Sequence, residues 1–365
     1  MIKDFLYLYP SCIPIKGFSR SSIEDCSTGK YLFIPNSLCF DLMNNNHMLL
    51  DIQMKEHQSF LIKNSMAFMS SVPLPLNRIE YSYDYPAHIT NAIVCASAVT
   101  IPNIICLVEN INKLGCEALQ LYINNDIDIN KIVELLEFLK NSSYTTITII
   151  ISYDLVANQI FICKDWLENE DRIKNILVHK SPFSKRTTIS KFSKKSIVFT
   201  SECITYLSSC GFVHPYIFTI NLPFFTEAQH HNTCLNRKIC IDENGDIKNC
   251  PAMEKSYGNI RDTTLKEAIE KPGFKECWTI CKDQIDVCKD CEFRYMCTDC
   301  RAFIKDPENP YSQPAKCTYN PYICLWEGQA GYVPVEECGT YSRETGFVPD
   351  REKIARLNKQ IWGEE

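Results

Sequence analysis

Cysteine is the residue type in this chain whose number and spacing could support chemistry. The sequence contains 21 cysteines in 365 residues, and twelve of them lie between Cys234 and Cys338. In a reducing compartment, a cysteine-rich chain indicates metal ligation rather than disulfide bonding. The other nine cysteines are scattered among apolar neighbours, where a free cysteine is commonly a small buried hydrophobe. The C-terminal third is therefore the predicted metal-binding region.

Eight cysteines have the spacing of metal ligands. The first three are Cys234, Cys240 and Cys250, separated by five and nine residues. The other five are Cys288, Cys291, Cys297 and Cys300, separated by two, five and two residues, and then Cys317. Four thiolates complete a tetrahedral zinc site or hold an iron–sulfur cluster, so eight imply two centres. The turn sequence Asp-Glu-Asn-Gly ending at Gly245 predicts a hairpin with Cys240 and Cys250 on its two arms. Residue chemistry alone leaves zinc and iron–sulfur open, because soft thiolates suit both.

The combined pattern C-x10-G-x4-C, then C-x2-C-x5-C-x2-C, then a final cysteine resembles a SPASM domain. That domain is the auxiliary-cluster module of radical-SAM peptide-modifying enzymes, and the resemblance implies two 4Fe–4S clusters. It assigns four cysteines to each cluster: Cys234, Cys240, Cys250 and Cys300 to the first, and Cys288, Cys291, Cys297 and Cys317 to the second. With this resemblance, iron–sulfur is favoured over zinc.

Longer segments resemble the SPASM-domain peptide maturases of grasp-with-spasm systems: YPSCIPIKG, GKYLFIPNSL, NCPAMEKSYGNI, CEFRYMCTDCRAF and KCTYNPY. This resemblance spans roughly residues 1–326. Such maturases are encoded beside an ATP-grasp ligase and a short precursor peptide, so it implies both as partners. It also implies a leader-binding module at the N-terminus, a barrel like that of radical-SAM enzymes in the middle, and the SPASM domain at the end.

The radical-SAM motif C-x3-C-x2-C does not occur in the sequence. In radical-SAM enzymes it follows the first barrel strand and leaves one iron open for S-adenosylmethionine, whereas here only Cys106 and Cys116 follow, with nine residues between them. Cys277-x3-Cys281 lacks the third cysteine at the required distance. We therefore expect no cleavage of S-adenosylmethionine, and whether this chain catalyses a reaction stays open, because a fold without its site does not carry a function.

The order of strand-like and helical stretches predicts an α/β chain with four parts. Residues 1–85 predict a winged-helix-like module. In residues 86–230 strands alternate with helices, which predicts a parallel sheet forming a partial (β/α) radical-SAM-like barrel. Residues 231–326 are the cysteine-rich SPASM domain, and the tail 327–365 ends in a helix that Asp350 caps.

Several local expectations depend on short patterns. A helix is predicted over Trp166–Asn175 and a strand over Tyr216–Leu222. The basic tract Lys180–Lys195 is interpreted as a solvated loop, with a docking surface for an acidic peptide as the alternative. Cys277 and Cys281 are predicted to lie on one face of a helix, and Cys338 is predicted to be an exposed thiol. Five cysteines in apolar runs are predicted to be buried: Cys39, Cys95, Cys106, Cys163 and Cys203.

Charge and hydropathy narrow the class of partners. The formal charge of −6 argues against a general nucleic-acid binder. No apolar run reaches membrane-spanning length and no signal-peptide pattern is present, so we expect a cytoplasmic protein without membrane partners.

Three functional hypotheses follow. The leading one is an iron–sulfur accessory protein of ribosomal-peptide maturation, which binds the leader of a precursor peptide and acts with an ATP-grasp ligase. The second is a radical-SAM or redox enzyme of peptide modification, which either uses the two clusters for electron transfer or builds a catalytic cluster from cysteines such as Cys95, Cys106 and Cys116. The third is a zinc-stabilised peptide-binding module.

Overall fold

The computed structural model describes residues 5–44, 48–49, 55–74, 82–158, 160–188, 195–205 and 209–363. The chain forms two compact units, each assembled from segments that are distant in sequence. Unit 1 comprises Met1–Asp84, Gly211–Cys234 and Thr279–Glu365, and unit 2 comprises Tyr85–Cys210 and Leu235–Trp278.

The strands are, in chain order, β1 (Phe5–Leu8), β2 (Cys12–Ile15), β3 (Ser21–Asp25), β4 (Lys30–Ile34), β5 (Met48–Leu49), β6 (Ala67–Ser70), β7 (Asn91–Ala96), β8 (Ala118–Ile123), β9 (Thr146–Ser152), β10 (Ile173–His179), β11 (Lys185–Thr188), β12 (Ser196–Phe199), β13 (Lys238–Ile241), β14 (Ile247–Lys248), β15 (Tyr319–Asn320), β16 (Leu325–Trp326), β17 (Gly339–Ser342) and β18 (Gly346–Pro349). The α-helices are α1 (Asn36–Asn44), α2 (Lys55–Lys63), α3 (Ile104–Lys113), α4 (Ile129–Leu139), α5 (Tyr153–Val156), α6 (Phe161–Asn169), α7 (Leu222–Ala228), α8 (Leu265–Glu270) and α9 (Arg351–Trp362). Short 3-10 helices cover Ile101–Asn103, Pro215–Ile217, Glu276–Thr279, Lys282–Gln284, Cys288–Asp290 and Val335–Cys338. Among the helices in the described ranges, none has both the length and the apolar character needed to cross a membrane.

Unit 2 is built on an eight-stranded sheet with the order β11-β12-β10-β9-β8-β7-β13-β14. The six strands from β12 to β13 run parallel, and the two edge strands pair antiparallel with their neighbours. Helices connect β7 to β8, β8 to β9 and β9 to β10, because parallel neighbours need a crossover connection. The predicted α/β class with a parallel sheet is confirmed, whereas the partial barrel stays a prediction.

The crossover helices bury one apolar face each. Helix α3 buries Leu107, Val108 and Ile111, and helix α4 buries a similar stripe at helical spacing. Asp128 caps α4, since its side chain accepts a hydrogen bond from the Asn130 N–H at 3.0 Å.

Unit 1 contains two three-stranded antiparallel sheets with the orders β5-β1-β6 and β2-β3-β4. Strand β3 is central in its sheet, and all five of its residues are buried. Helix α1 packs Leu38, Cys39 and Leu42 into the same core as Ile23 and Ile34. The winged-helix-like module assigned to this region stays a prediction.

The C-terminal part of unit 1 has little regular structure before its last helix. Two short hairpins, β15–β16 and β17–β18, precede α9. Asp350 caps this helix by accepting a hydrogen bond from the Lys353 N–H at 3.0 Å. Ile354, Leu357 and Ile361 then pack into one cluster, so the predicted capped amphipathic helix is confirmed.

The helix predicted over Trp166–Asn175 is wrong in its second half. Helix α6 ends at Asn169 and strand β10 begins at Ile173. Between them Glu170 adopts an extended backbone, and its carboxylate accepts hydrogen bonds from the Arg172 guanidinium. The turn therefore ends the helix, and the following Ile173 is drawn into the buried sheet.

The strand predicted over Tyr216–Leu222 is also wrong. Residues Pro215–Ile217 form a 3-10 turn, and α7 starts at Leu222. Asn221 accepts a hydrogen bond from the Phe224 N–H at 2.9 Å, and a proline follows inside the first turn. Capping asparagine and first-turn proline are helix-start signals, and they override the β propensity of the aromatic residues before them.

The basic tract Lys180–Lys195 is not one solvated loop. Its middle forms the exposed edge strand β11, and residues 189–194 lie outside the described residues. Lys195 is buried: its Nζ donates to the Leu167 carbonyl oxygen at 2.8 Å and pairs with Asp171 at 2.8 Å. The loop interpretation is therefore wrong for Lys195, and the docking alternative stays a prediction.

Candidate metal centre

The four cysteines assigned to the second cluster lie in unit 1 on short irregular segments. Cys288 begins a 3-10 helix, and Val287 before it has a positive φ of 67°. Cys291 follows that helix, and its N–H donates to the Cys288 carbonyl oxygen at 3.0 Å. The N–H groups of Cys297 and Cys317 also donate to carbonyl oxygens of nearby residues. Backbone hydrogen bonds thus hold the segments that carry all four thiols.

Lys282 joins these thiols in one buried site. Its Nζ lies 3.9 Å from Cys288 Sγ and 3.7 Å from Asp299 Oδ1. Burial lowers the pKa of Lys282, but the negative charges of Cys288, Cys297, Asp299 and Cys317 outweigh it, so the pKa lies well above its usual range. A buried ammonium group is tolerated only where negative charge surrounds it. The charge of Lys282 in turn favours the thiolate form of Cys288 and Cys297.

Burial governs the protonation of the thiols themselves. It raises the pKa of Cys288 to about 12 and that of Cys297 to about 11, with the charge of Lys282 acting in the opposite direction. Burial also raises the pKa of Cys291, and the charge of Glu292 adds to that increase. Because a metal binds the thiolate form, metal binding must release protons and strengthens as pH rises.

A buried polar network, which sequence reasoning missed, surrounds the site. Asp299 accepts hydrogen bonds from Asn232 Nδ2 at 2.5 Å and from Arg301 Nη2 at 2.8 Å. Asn232 Oδ1 in turn accepts from the Cys234 N–H at 3.0 Å. The network ties the segment before Cys300 to the segment before Cys234, so it links two ligands assigned to the first cluster. No spacing rule signals these partners, although each lies within two residues of a predicted ligand.

Aromatic side chains form the apolar wall of the site. Phe293, Met296 and Tyr319 pack in one cluster with Cys297, and Cys291 lies at its margin. The rings of Phe293 and Tyr319 are 4.9 Å apart. Such a wall limits water access, which strengthens electrostatic interactions inside the site.

Cys240 and Cys250 lie in unit 2, on the predicted hairpin. Strands β13 and β14 pair antiparallel, with Cys240 opposite Lys248, and Cys250 follows two residues after β14. The turn contains Gly245 at φ 82°, and Asp242 Oδ1 accepts two backbone N–H groups inside it. A left-handed φ favours glycine, so the hairpin prediction is confirmed.

The donor chemistry of the site, with thiols beside a buried ammonium group, fits a thiolate-bound iron–sulfur group. In the part of the chain that the structure describes, no three Cys, His, Asp or Glu side chains converge as a metal ion would require. The residue assignments and the number of clusters stay predictions. When bound, such a cluster can carry single electrons.

The cysteines proposed for an unexpected catalytic cluster do not come together. Cys95 lies near the carboxyl end of β7, whereas Cys116 precedes β8 and its Sγ lies 3.5 Å from the Thr90 carbonyl oxygen at the amino end. The two ends of β7 are roughly 15–20 Å apart, given the rise per residue of an extended strand. Cys106 is exposed on α3.

Other cysteine expectations have mixed outcomes. Cys39, Cys95 and Cys163 are buried as predicted, but Cys106 and Cys203 are exposed. No disulfide joins any of the cysteines, all of which lie in described ranges.

Cys277, Cys281 and Cys338 also differ from expectation. The 3-10 helix carrying Cys277 ends at Thr279, so Cys277 and Cys281 do not share a helix face. Cys338 is fully buried, and Asn320 Nδ2 donates to its Sγ at 3.3 Å.

Arg294 and Tyr295, which lie between Cys291 and Cys297, both bond to Asp283. Arg294 Nε lies 2.9 Å from Asp283 Oδ1 and Tyr295 donates to Asp283 Oδ2 at 2.8 Å. They therefore brace the loop around the site.

Comparison with known proteins yields little. No family model matches the sequence, and neither does any curated protein. Among solved structures, SuiB of Streptococcus suis bound to S-adenosylmethionine is 13% identical, with 84% of this chain and 98% of that chain covered and a TM-score of 0.34. SuiB bound to the precursor peptide SuiA is 12% identical, with 85% and 98% covered and the same TM-score of 0.34. A likeness this weak carries no argument about the fold or activity of this chain.

Proposed function

We propose that this chain is an iron–sulfur protein of ribosomal-peptide maturation, which binds a precursor peptide and acts with an ATP-grasp ligase. The observation that carries the proposal is the placement of Cys288, Cys297 and Cys317 near the buried Lys282 ammonium group, with Cys291 next to Cys288. Those four cysteines have the spacing of the second cluster in the SPASM resemblance.

In this proposal the clusters are structural. Fully thiolate-bound clusters leave no open iron for a substrate, and their ligands come from segments distant in sequence. Cluster binding would therefore contribute directly to folding, as metal binding does in other cysteine-rich domains. The ligase, rather than this chain, would form the side-chain ester or amide bond.

The first experiment is anaerobic quantitation of iron, sulfide and zinc, with spectra recorded before and after dithionite and S-adenosylmethionine. About eight irons per chain, as two four-iron clusters require, without S-adenosylmethionine cleavage support the proposal. About twelve irons with cleavage would make the chain a radical enzyme. Stoichiometric zinc without colour would make it a zinc-stabilised binding module.

The ligand assignment is tested by Cys291→Ala, with the exposed Cys106→Ala as the matched control. Loss of one thiolate from the second set should lower iron by about four atoms per chain and destabilise unit 1. The control should keep full iron. A Cys291→Ala protein with full iron and an intact fold would contradict the assignment.

The partner claim is tested by reconstitution. We expect that a neighbouring ATP-grasp ligase modifies its precursor peptide faster when this chain is present. Equal rates with and without the chain would contradict an accessory role, even if the clusters are present.

A further inference from the structure

A cationic groove with aromatic walls lies within unit 1, and none of the eight assigned cysteines lines it. It consists of two adjoining depressions of about 860 and 560 Å³ that share Phe18 and Arg351 in their linings. The larger is lined by Phe18, Ile354 and Trp362, and the smaller by Phe40. These volumes are in the range of ligand-binding pockets.

The charges in this groove oppose the net charge of −6 of the whole chain. Six cationic side chains line it: Lys16, Arg20, Lys289, Arg294, Arg351 and Lys359. The lining contains one acidic side chain, Asp290, which already accepts a hydrogen bond from Tyr322.

Some of these cations are compensated within the fold. Arg20 pairs with the buried Glu292 at 2.7 Å, and Arg294 pairs with Asp283. By contrast, Lys16 and Arg351 form no ion pair with any side chain in the described ranges. The groove therefore has cationic charge at Lys16 and Arg351 that no ion pair within the described ranges neutralises.

Arg351 occupies a position where a cation is unfavourable for the helix. It is the first residue of α9, where the helix dipole disfavours positive charge. Its guanidinium lies 5.2 Å from the centre of the Phe18 ring, which in turn packs edge-on against Tyr322 at 4.9 Å. Stacking thus holds the guanidinium at the junction of the two depressions rather than leaving it loose in solvent.

Exposed aromatic side chains complete the groove. Trp362 is 57% exposed and Phe40 is 61% exposed, although both are large apolar residues. The indole N–H of Trp362 donates to the Ile323 carbonyl oxygen at 3.1 Å, which orients the ring. Apolar faces beside uncompensated cations match a segment that carries both carboxylates and apolar side chains.

We propose that this groove binds an acidic peptide segment, with carboxylates at Arg351 and Lys16 and an apolar side chain against Trp362. This inference rests on the proposed function, because it names the chemistry of the peptide that unit 1 recognises. It can be tested separately from the cluster assignment, since none of the eight assigned cysteines lines the groove and Arg351 and Trp362 lie on α9.

The probe is a synthetic dye-labelled peptide of alternating Glu with one central Phe, compared with the same peptide carrying Gln in place of Glu. Binding to the metal-loaded full chain is followed by fluorescence anisotropy. We expect the Glu peptide to bind more tightly, and the difference to shrink as salt rises from about 50 to about 500 mM.

The matched variants are Arg351→Gln and Arg356→Gln. Both arginines are exposed on α9, but Arg356 does not line the groove. Arg351→Gln should lower the affinity for the Glu peptide about tenfold, because one charge-assisted hydrogen bond is lost. Arg356→Gln should leave the affinity unchanged. Iron content and circular dichroism should be the same in both variants.

Three results would overturn the groove proposal: equal binding of the Glu and Gln peptides, equal loss in the two variants, or equally tight competition by a single-stranded oligonucleotide of the same charge. If iron is absent but the Glu peptide still binds through Arg351, the cluster proposal fails and the groove stands. If iron is present and the peptide does not bind, the groove fails alone.

Discussion

Glu24 is a buried carboxyl group on the central strand β3. Neither of its carboxylate oxygens has a hydrogen-bond partner among the described residues. Burial raises the pKa of Glu24 to about 8, and the charge of Arg294 offsets part of this increase. The folded chain therefore holds a proton that the unfolded chain has already lost near neutral pH.

This difference predicts a pH dependence of stability. Because the folded pKa is raised, the contribution of Glu24 is most favourable below about pH 4.5 and is lost as pH rises through about 8. Glu24→Gln should be more stable than the native chain at pH 8, by on the order of 3 kcal/mol, and the gain should shrink towards pH 5. Urea midpoints at the two pH values measure it.

The control for this prediction is Glu56→Gln, at an exposed position in the same unit. That variant should follow the pH profile of the native chain. An unchanged profile in Glu24→Gln would mean that the Glu24 carboxyl is ionised in the folded state.

Thiol reactivity separates Cys338 from Cys106. Burial raises the pKa of Cys338, with a partly opposing hydrogen bond from Asn320, whereas Cys106 is exposed on α3. Iodoacetamide should modify Cys106 in the native protein within minutes and modify Cys338 only after unfolding. Peptide mapping by mass spectrometry reads both sites in one sample. Early modification of Cys338 would show that its cluster around Tyr322 and Val335 opens readily.

Helix α9 depends on its cap. Asp350 satisfies the Lys353 N–H and places a negative charge at the N-terminal end of the helix dipole. Asp350→Ala should reduce the free energy of unfolding by about 1 kcal/mol, and Asp350→Asn by less, because asparagine also caps. Thermal and urea unfolding measure the change.

The control for the cap is Glu344→Ala, in the exposed turn between β17 and β18. It should have nearly native stability. Equal losses in the two alanine variants would indicate a general effect of acidic charge in this region rather than capping.

For the whole molecule, metal removal should affect the two units unequally. Residues 279–326 of unit 1 contain only short 3-10 helices and one small hairpin, whereas unit 2 has a sheet with six parallel strands. Anaerobic chelation should therefore raise hydrogen exchange across 279–326, while β7–β10 keep their protection. Exchange measured by mass spectrometry tests this. Unchanged exchange in 279–326 after complete iron loss would contradict a stapling role.

Much of the local structure could be predicted because it depends on periodicity and on short signals. The alternation of strands and helices over residues 86–230 predicted the parallel sheet with its connecting helices, and the Asp350 cap predicted α9. The hairpin at Gly245 followed from its turn residues. The cysteine spacing also drew attention to the segments that carry Cys288, Cys297 and Cys317, whose charges act on Lys282, whereas the ligand assignment stays a prediction.

The remaining features depend on contacts between distant residues, which no local pattern records. Strand β13 pairs with β7 although more than a hundred residues separate them, and Asn232 bonds to Asp299 across 67 residues of sequence. Likewise, only packing decided that Cys338 and Lys195 are buried. A local sequence encodes the hydrophobic periodicity and the caps of helices and strands. Which residues are buried, and which distant segments pair, depends on the free energy of burying the apolar surface of the whole chain, so only the tertiary structure decides it.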